Sequence, residues 1–179
     1  MSTFSLLQPG LHEVSDAAPL RTVSDADFRA AMSRFATGVT IVTTRDAKGQ
    51  PAGFTASSFT SLSRAPPMVL VCLARSAASF GRFVEATEFA VSVLRAGQDD
   101  LAKLFASRGA DKFTGDHLVA GEHGLPLIRN ALVTFECAMD TVTAGGDHVI
   151  LIGRPLTASV HAGEPMINYA GRLRSLGGD

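Results

Sequence analysis

The sequence lacks tryptophan, has a single tyrosine at position 169, and carries almost no net charge, with a formal value of −1. A chain without a basic surplus cannot hold nucleic acid through its phosphates, so we expect no nucleic-acid partner. No lysine- or arginine-rich run indicates a membrane surface, and no apolar run approaches the roughly 20 residues that span a bilayer. Because the N-terminus also lacks a basic region followed by an apolar segment of signal-peptide length, we expect a cytoplasmic protein.

Cysteine is scarce as well, with only Cys72 and Cys137, each inside an apolar, strand-like run. This setting predicts two core thiols rather than a disulfide or a metal pair. The sequence has no CxxC spacing, and its five histidines are scattered without the spacing of metal ligands. We therefore predict no metal site.

Hydrophobic residues make up 46% of the 179-residue chain and charged residues 18%, which indicates a globular domain. Residues 1–23 show no periodicity and are interpreted as a flexible N-terminal arm, followed by a single domain over 24–179. Short helices are predicted near Asp27, capped by Ser24 or Asp25, over 76–86, with Ser76 as N-cap, and over 98–107. The sequence has more strand-like runs than predicted helices. With no β-α-β rhythm and no Gly-x-Gly-x-x-Gly, an antiparallel barrel is favoured over a Rossmann domain.

The stretch from Gly53 to Leu73 combines two kinds of sequence. Its first half is small and hydroxyl-rich, and hydroxyls together with backbone N–H groups are what a phosphate requires. After Pro66 and Pro67, its second half is a continuous apolar run, which predicts a strand buried on both faces. The residues alone leave two interpretations open, a phosphate cradle or an ordinary loop beside a core strand.

This stretch, together with segments 35–44, 111–115 and 145–153, resembles the flavin reductase family with an FMN-binding split barrel, over about residues 25–176. The resemblance implies a mainly β fold, a split (Greek-key) antiparallel β-barrel with a few short peripheral helices, assembled as a homodimer. It also implies an NAD(P)H:flavin oxidoreductase that takes hydride from NADH or NADPH and transfers it to FMN or FAD. The reduced flavin then goes to a partner flavin-dependent monooxygenase.

The resemblance also implies roles for individual residues. His148, in the Gly-Asp-His segment, is the expected catalytic residue at the nicotinamide end, although a histidine after a hairpin turn is more often a surface residue. Lys112 is the expected counter-charge of the flavin phosphate, although lysines are usually solvated. The expected flavin-binding residues are Thr37, Gly38 and Val39 along the ring edge, Thr55, Ala56, Ser57 and Ser58 in the hydroxyl-rich turn, Cys72 and Leu73 on the core strand, Ser76 and Ser79 near the phosphate, and Lys112 and Phe113 in the covering loop.

The chain departs from the family pattern near its C-terminus. Asn168 and Leu173 stand where the family often has tyrosines over the nicotinamide side. Two alternatives therefore stay open: a split-barrel flavoprotein oxidase or reductase that keeps FMN tightly bound and acts on another small molecule, and a non-catalytic flavin-binding module. The choices of FMN or FAD and of NADH or NADPH are also left open.

Overall fold

The computed structural model describes residues 22–177, so the predicted N-terminal arm lies almost wholly outside the described residues. The chain divides into two compact units, one ending at Met32 and the other beginning at Ser33. Helix α1 (Asp25–Met32) belongs to the first unit, and no residue of it is buried. The hydroxyl of Ser24 accepts the backbone N–H of Asp27 at 3.1 Å, which confirms the predicted cap. The helix begins two residues before the predicted position.

The second unit is mainly β, as predicted, and its strands form one large and two small sheets. No helix in residues 22–177 is long and apolar enough to cross a membrane. The elements in chain order are β1 (Thr37–Gly38), β2 (Thr40–Arg45), β3 (Pro51–Ala56), β4 (Thr60–Arg64), β5 (Pro67–Ala74), α2 (Phe80–Glu85), β6 (Glu88–Val93), α3 (Asp99–Ala106), β7 (Leu118–Ala120), β8 (Pro126–Ile128), β9 (Val133–Gly145), β10 (His148–Val160), β11 (Met166–Tyr169) and β12 (Arg172–Ser175).

The large sheet has seven strands in the order β3-β2-β6-β9-β10-β5-β4, and every pairing in it is antiparallel. Turn residues account for two of its hairpins. Asp46 closes the β2–β3 turn by accepting the backbone N–H groups of Lys48 and Gln50, and the 13-residue strands β9 and β10 meet at Gly146 and Asp147. Strand β1 pairs with β11 and β11 with β12 in a separate three-stranded sheet.

One hydrophobic core lies inside the curve of the large sheet. Ala56 on one edge strand and Leu73 near the other edge belong to the same buried cluster, together with Phe83, Phe89 and Leu151. Strands so far apart in the sheet order share a core only because the sheet curls. A second core, on the opposite face of β2, is built on Ile41 and Phe105 and places α3 against β3.

Three sequence predictions are wrong in detail. The run after Pro66 is buried on one face only, since the side chains of β5 alternate between buried and half-buried. Ser76 is not the cap of α2, because that helix begins at Phe80 with Ser79 in the cap position. Residues 60–64, interpreted as loop, form the edge strand β4. The hairpins β7–β8 and β11–β12 were not identified from the sequence.

Candidate functional site

A cleft of about 410 Å³ opens where the ends of β3 and β5 meet the C-terminal end of α3. Strand β10 brings His148 to its rim, because His148 pairs with Ala74 at the last position of β5. Its walls are formed by Gly53, Phe54, Thr55, Ala56, Ser57, Ser58, Cys72, Leu73, Ala74, Ser76, Ala77, Ala78, Ser79, Phe105, Ala106, Ser107, Arg108, Lys112 and His148.

The cleft favours an anionic ligand. Among the described residues that line it, Lys112 and Arg108 are cationic and none carries a carboxylate. The Lys112 ammonium lies 2.8 Å from the carbonyl oxygen of Phe105 and 3.5 Å from that of Gly53. Burial lowers the pKa of Lys112 from its usual value, so the charge is held in a partly desolvated position. Lys112 is therefore not a freely solvated lysine.

Some hydroxyl groups of the hydroxyl-rich turn and of the turn before α2 bond to the protein itself, and others have no partner among the described residues and can bond a ligand. Thr55 donates to the carbonyl of Ala102 at 2.7 Å, which ties α3 to β3. Ser58 accepts the backbone N–H of Cys72 at 3.0 Å and continues the edge of β5 where β4 no longer pairs with it. Within residues 22–177, the side chains of Ser57, Ser76 and Ser79 make no hydrogen bond. These three hydroxyls line the cleft and can bond a ligand.

His148 is paired with its neighbour in the chain. Its Nδ1 lies 2.7 Å from Oδ1 of Asp147, and the hydrogen bond, followed by the charge of His148, lowers the pKa of Asp147. Because Nδ1 faces a carboxylate, it carries the proton, and Nε2 is the ring nitrogen left for a cleft ligand. The His148 side chain is 42% exposed, which leaves it accessible from solvent.

The two cysteines have different environments, and both are free thiols. Cys72 is half-buried on the cleft wall beside Leu73, whose side chain belongs to the core. Cys137 is fully buried, and burial, with the charge of Glu136 adding to it, raises its pKa to about 12. Cys72 is thus the thiol that a cleft ligand covers.

Ten of the predicted site residues line this cleft, and four do not. Phe113 lines a neighbouring basin instead and packs edge-to-face on Phe105, with ring centroids 5.5 Å apart. Thr37 and Gly38 lie in β1, opposite Asn168 and Ile167 of β11. Val39 is buried in the second core. Leu173 lies directly opposite Asn168, so the two unusual C-terminal residues and Thr37 occupy one row of the small sheet.

Sequence reasoning missed the contribution of α3 to the cleft. Phe105, Ser107 and Arg108 line it, although they were interpreted only as a helix and the start of a loop. Gly53 explains how α3 comes so close, because a Cβ at Gly53 would lie 2.9 Å from the Phe105 ring. A glycine before a hydroxyl-rich turn was the available signal, since glycine in a strand often marks a close approach of another element.

Comparisons with known proteins agree with this architecture. Residues 32–177 match the family described as flavin reductase like domain. The NADH-dependent FAD reductase of Streptomyces globisporus is 40% identical over 172 residues, covering 91% of this chain and 93% of that protein. The reductase subunit of a flavin-dependent monooxygenase from Rhodococcus jostii is 33% identical over 161 residues, covering 89% of this chain and 82% of that subunit.

A probable flavin reductase of Rhizobium meliloti is 44% identical over 143 residues, which cover 80% of this chain and 46% of that protein. The chain thus spans about half the length of this relative. Among solved structures, the NADH:FAD oxidoreductase of Streptomyces globisporus in complex with NAD and FAD fragments superposes with a TM-score of 0.79 at 41% identity. That match covers 86% of this chain and 95% of the solved one, so the two share their fold.

Proposed function

Because the chain belongs to the family of flavin reductase like domains, we propose that it is an NAD(P)H-dependent flavin reductase, which transfers hydride to FMN or FAD. The observation that carries the proposal is a cleft that combines Lys112, three unbonded serine hydroxyls and an apolar strand wall with no carboxylate among its described lining residues. A flavin has the same two parts, an apolar ring system and an anionic phosphate chain.

The residues of the cleft fit the two parts of a flavin separately. The half-buried side chain of Cys72, together with the adjoining surface of Leu73 and Ala56, supplies an apolar wall for the ring. Ser76 and Ser79, in the turn before α2, and the ammonium of Lys112 supply donors for a phosphate. We assign these residues to the flavin, and Ser57 to the polar edge of the ring.

A bound flavin supplies the hydride chemistry, and the chain supplies binding, orientation and electrostatics. His148 has Nδ1 held by Asp147, so in its imidazolium form Nε2 donates a hydrogen bond into the cleft. A donor at this position stabilises negative charge that develops on a ligand during reduction. The carboxylate of Asp147 fixes the orientation of the ring.

The activity is tested by following NADH and NADPH oxidation by the purified protein at increasing concentrations of free FMN or FAD. The proposal predicts oxidation that depends on added flavin and saturates with it. Flavin that stays bound through gel filtration, without turnover of free flavin, indicates a flavoprotein that acts on another molecule. Flavin binding with no oxidation of either nucleotide indicates a binding module.

We further propose that the reduced flavin is delivered to a partner monooxygenase, because one relative is the reductase subunit of such an enzyme. Two free cysteines support a cytoplasmic location, since reducing compartments keep thiols unpaired.

We also propose that two copies form a homodimer. On β10, the large apolar side chains of Leu156 and Val160 are 46% and 77% exposed, and Leu62 on the edge strand β4 is 47% exposed. Exposed apolar side chains of this size favour burial against a second subunit. Sedimentation equilibrium tests this assignment: it predicts a species of twice the chain mass, and a monomer at all concentrations contradicts it.

A further inference from the structure

The loop between α3 and β7 holds Lys112 by its side chain and by its backbone. The Lys112 ammonium donates to the carbonyl of Phe105 at 2.8 Å, and the Lys112 carbonyl lies 3.0 Å from Nε2 of His117. The His117 ring packs edge-to-face on the Phe105 ring, with centroids 6.3 Å apart. The three residues thus form a closed set of contacts, although His117 is not among the described residues that line the cleft.

We propose that His117 positions Lys112 for the flavin phosphate and so sets how tightly a phosphorylated flavin binds. The inference rests on the proposed function, because it requires the flavin phosphate to lie near Lys112. His117 acts through Lys112 and is therefore a positioning residue. Because a backbone carbonyl only accepts hydrogen bonds, Nε2 is the ring nitrogen that carries the proton in this contact.

A tight turn at Gly115 brings His117 back to Lys112. The φ angle of Gly115 is +103°, a backbone conformation that favours glycine. A Cβ at Gly115 would lie 3.2 Å from Nδ1 of His117, so the turn packs directly on the imidazole. The hydrogen bond from Nε2 then closes a loop of five residues, and Lys112 lies at its start.

Arg129, the residue after β8, fixes the backbone around His117. Its backbone N–H donates to the His117 carbonyl at 2.8 Å. Its Nε donates to the carbonyl of Asp116 at 2.6 Å, and a terminal nitrogen donates to that of Leu118 at 3.4 Å. Three carbonyls in succession are thereby held by one residue, and the imidazole has a fixed base from which to hold Lys112.

A fixed Lys112 binds a phosphate better than a free one. A lysine side chain loses rotamer freedom when it is immobilised by a ligand, and this loss opposes binding. In this loop the ammonium is already placed near two carbonyls, those of Phe105 and Gly53. That placement requires the Lys112 backbone to stay at a constant distance from α3, and the hydrogen bond from His117 holds it there.

The test measures dissociation constants for FMN and riboflavin by quenching of flavin fluorescence. Riboflavin is FMN without its phosphate, so only FMN reports on Lys112. His117→Phe keeps a ring against Phe105 and removes the donor, and we expect FMN to bind about threefold to tenfold more weakly while riboflavin affinity stays within about twofold. His117→Gln restores an N–H donor and should recover most of the FMN affinity. His123→Phe is the matched control, because His123 lies outside the cleft and pairs with Glu88.

A double variant separates positioning of Lys112 from general support of the fold. In Lys112→Met the ammonium is already absent, so adding His117→Phe should weaken FMN binding by no more than about twofold further. A residue that supported the cleft in some other way would cause its full loss in either background.

The outcomes also separate this inference from the proposed function. Selective loss of FMN affinity in His117→Phe, recovery in His117→Gln and no further loss in the double variant support the assignment. Unchanged FMN affinity in His117→Phe, equal losses for FMN and riboflavin, or a full loss in the Lys112→Met background overturns the inference and leaves the flavin reductase standing. A wild type that binds neither flavin overturns the proposed function and the inference with it.

Discussion

At the scale of single residues, the cleft depends on side chains whose roles are set by tertiary contacts. Lys112 is the clearest case, because its ammonium is held by a carbonyl at the end of α3 and a carbonyl on β3. A lysine in this position is partly desolvated yet has a donor left for a phosphate. The same residue type at position 103 only pairs with Asp100 on the helix surface.

Replacing Lys112 by Met should weaken flavin binding by about tenfold to a hundredfold, because a hydrogen bond to a charged group is lost. Lys103→Met is the control and should leave binding unchanged.

Because burial lowers the pKa of Lys112, its charged form disappears at a lower pH than that of an ordinary lysine. Flavin affinity measured against pH should therefore fall earlier on the alkaline side in the wild type than in Lys112→Arg. If flavin affinity falls at the same alkaline pH in the wild type and in Lys112→Arg, Lys112 does not bind the flavin phosphate.

Asp147 is a positioning residue that acts through His148. Asp147→Asn removes the carboxylate that orients the His148 ring, so we expect a lower kcat for flavin reduction. The KM for flavin should change little, because Asp147 does not line the cleft. A merely structural role would lower thermal stability without separating the effect on kcat from that on KM.

The two thiols should react at very different rates. At neutral pH, iodoacetamide should modify Cys72 in the native protein and leave Cys137 untouched, because a thiol with a pKa of about 12 forms almost no thiolate. Both should react after denaturation. Saturating FAD should slow modification of Cys72, which mass spectrometry of the labelled peptides can measure. Rapid labelling of Cys72 with flavin bound would contradict its place on the flavin wall.

At the scale of elements, the site depends on how closely α3 approaches β3. Gly53 allows that approach, since its missing side chain leaves room for the ring of Phe105, which is 1% exposed. The carbonyl of Phe105 then receives Lys112, so a strand glycine controls the position of the cleft's cation.

Gly53→Ala should lower the free energy of unfolding by about 1–3 kcal/mol, because the new methyl overpacks against Phe105 and the carbonyl of Val42. Flavin affinity should fall together with stability. Gly81→Ala, in α2, is the control: a Cβ there meets nothing within 4 Å, so stability should be unchanged or slightly higher. Chemical denaturation of the two variants checks both expectations, and equal stability would show that α3 has freedom to shift.

The elements also show what the sequence could predict. The β2–β3 and β9–β10 hairpins follow from turn residues between β-branched runs, and the family resemblance places Ser57 and His148 in one cleft. Strand β4 was missed because a hydroxyl-rich edge strand has the composition of a loop, and only pairing with β5 identifies it. The positions of Arg108 and Lys112 depend on where the C-terminal end of α3 lies in the folded chain. The local periodicity of the sequence does not give that position.

At the scale of the whole molecule, the second unit combines a curved sheet with a cleft at one end of its strands. The cleft has a polar end near Lys112 and an apolar wall on β5, which is the arrangement that a diffusible flavin requires. The proposed delivery to a monooxygenase requires in addition that the reduced flavin leaves, and the partly exposed rim at His148 allows this.

The most direct test of this account is anaerobic mixing of the protein with FAD and NADH while the flavin absorbance is recorded. In the absence of oxygen, hydride transfer bleaches the oxidised flavin, and the account predicts rapid bleaching by the wild type. Ala78→Trp, at an exposed position on the wall of the cleft, should abolish the rapid phase while the protein stays folded. Bleaching no faster than that of free FAD with NADH or NADPH, or an unchanged rate in Ala78→Trp, would contradict the assignment of this cleft to flavin reduction.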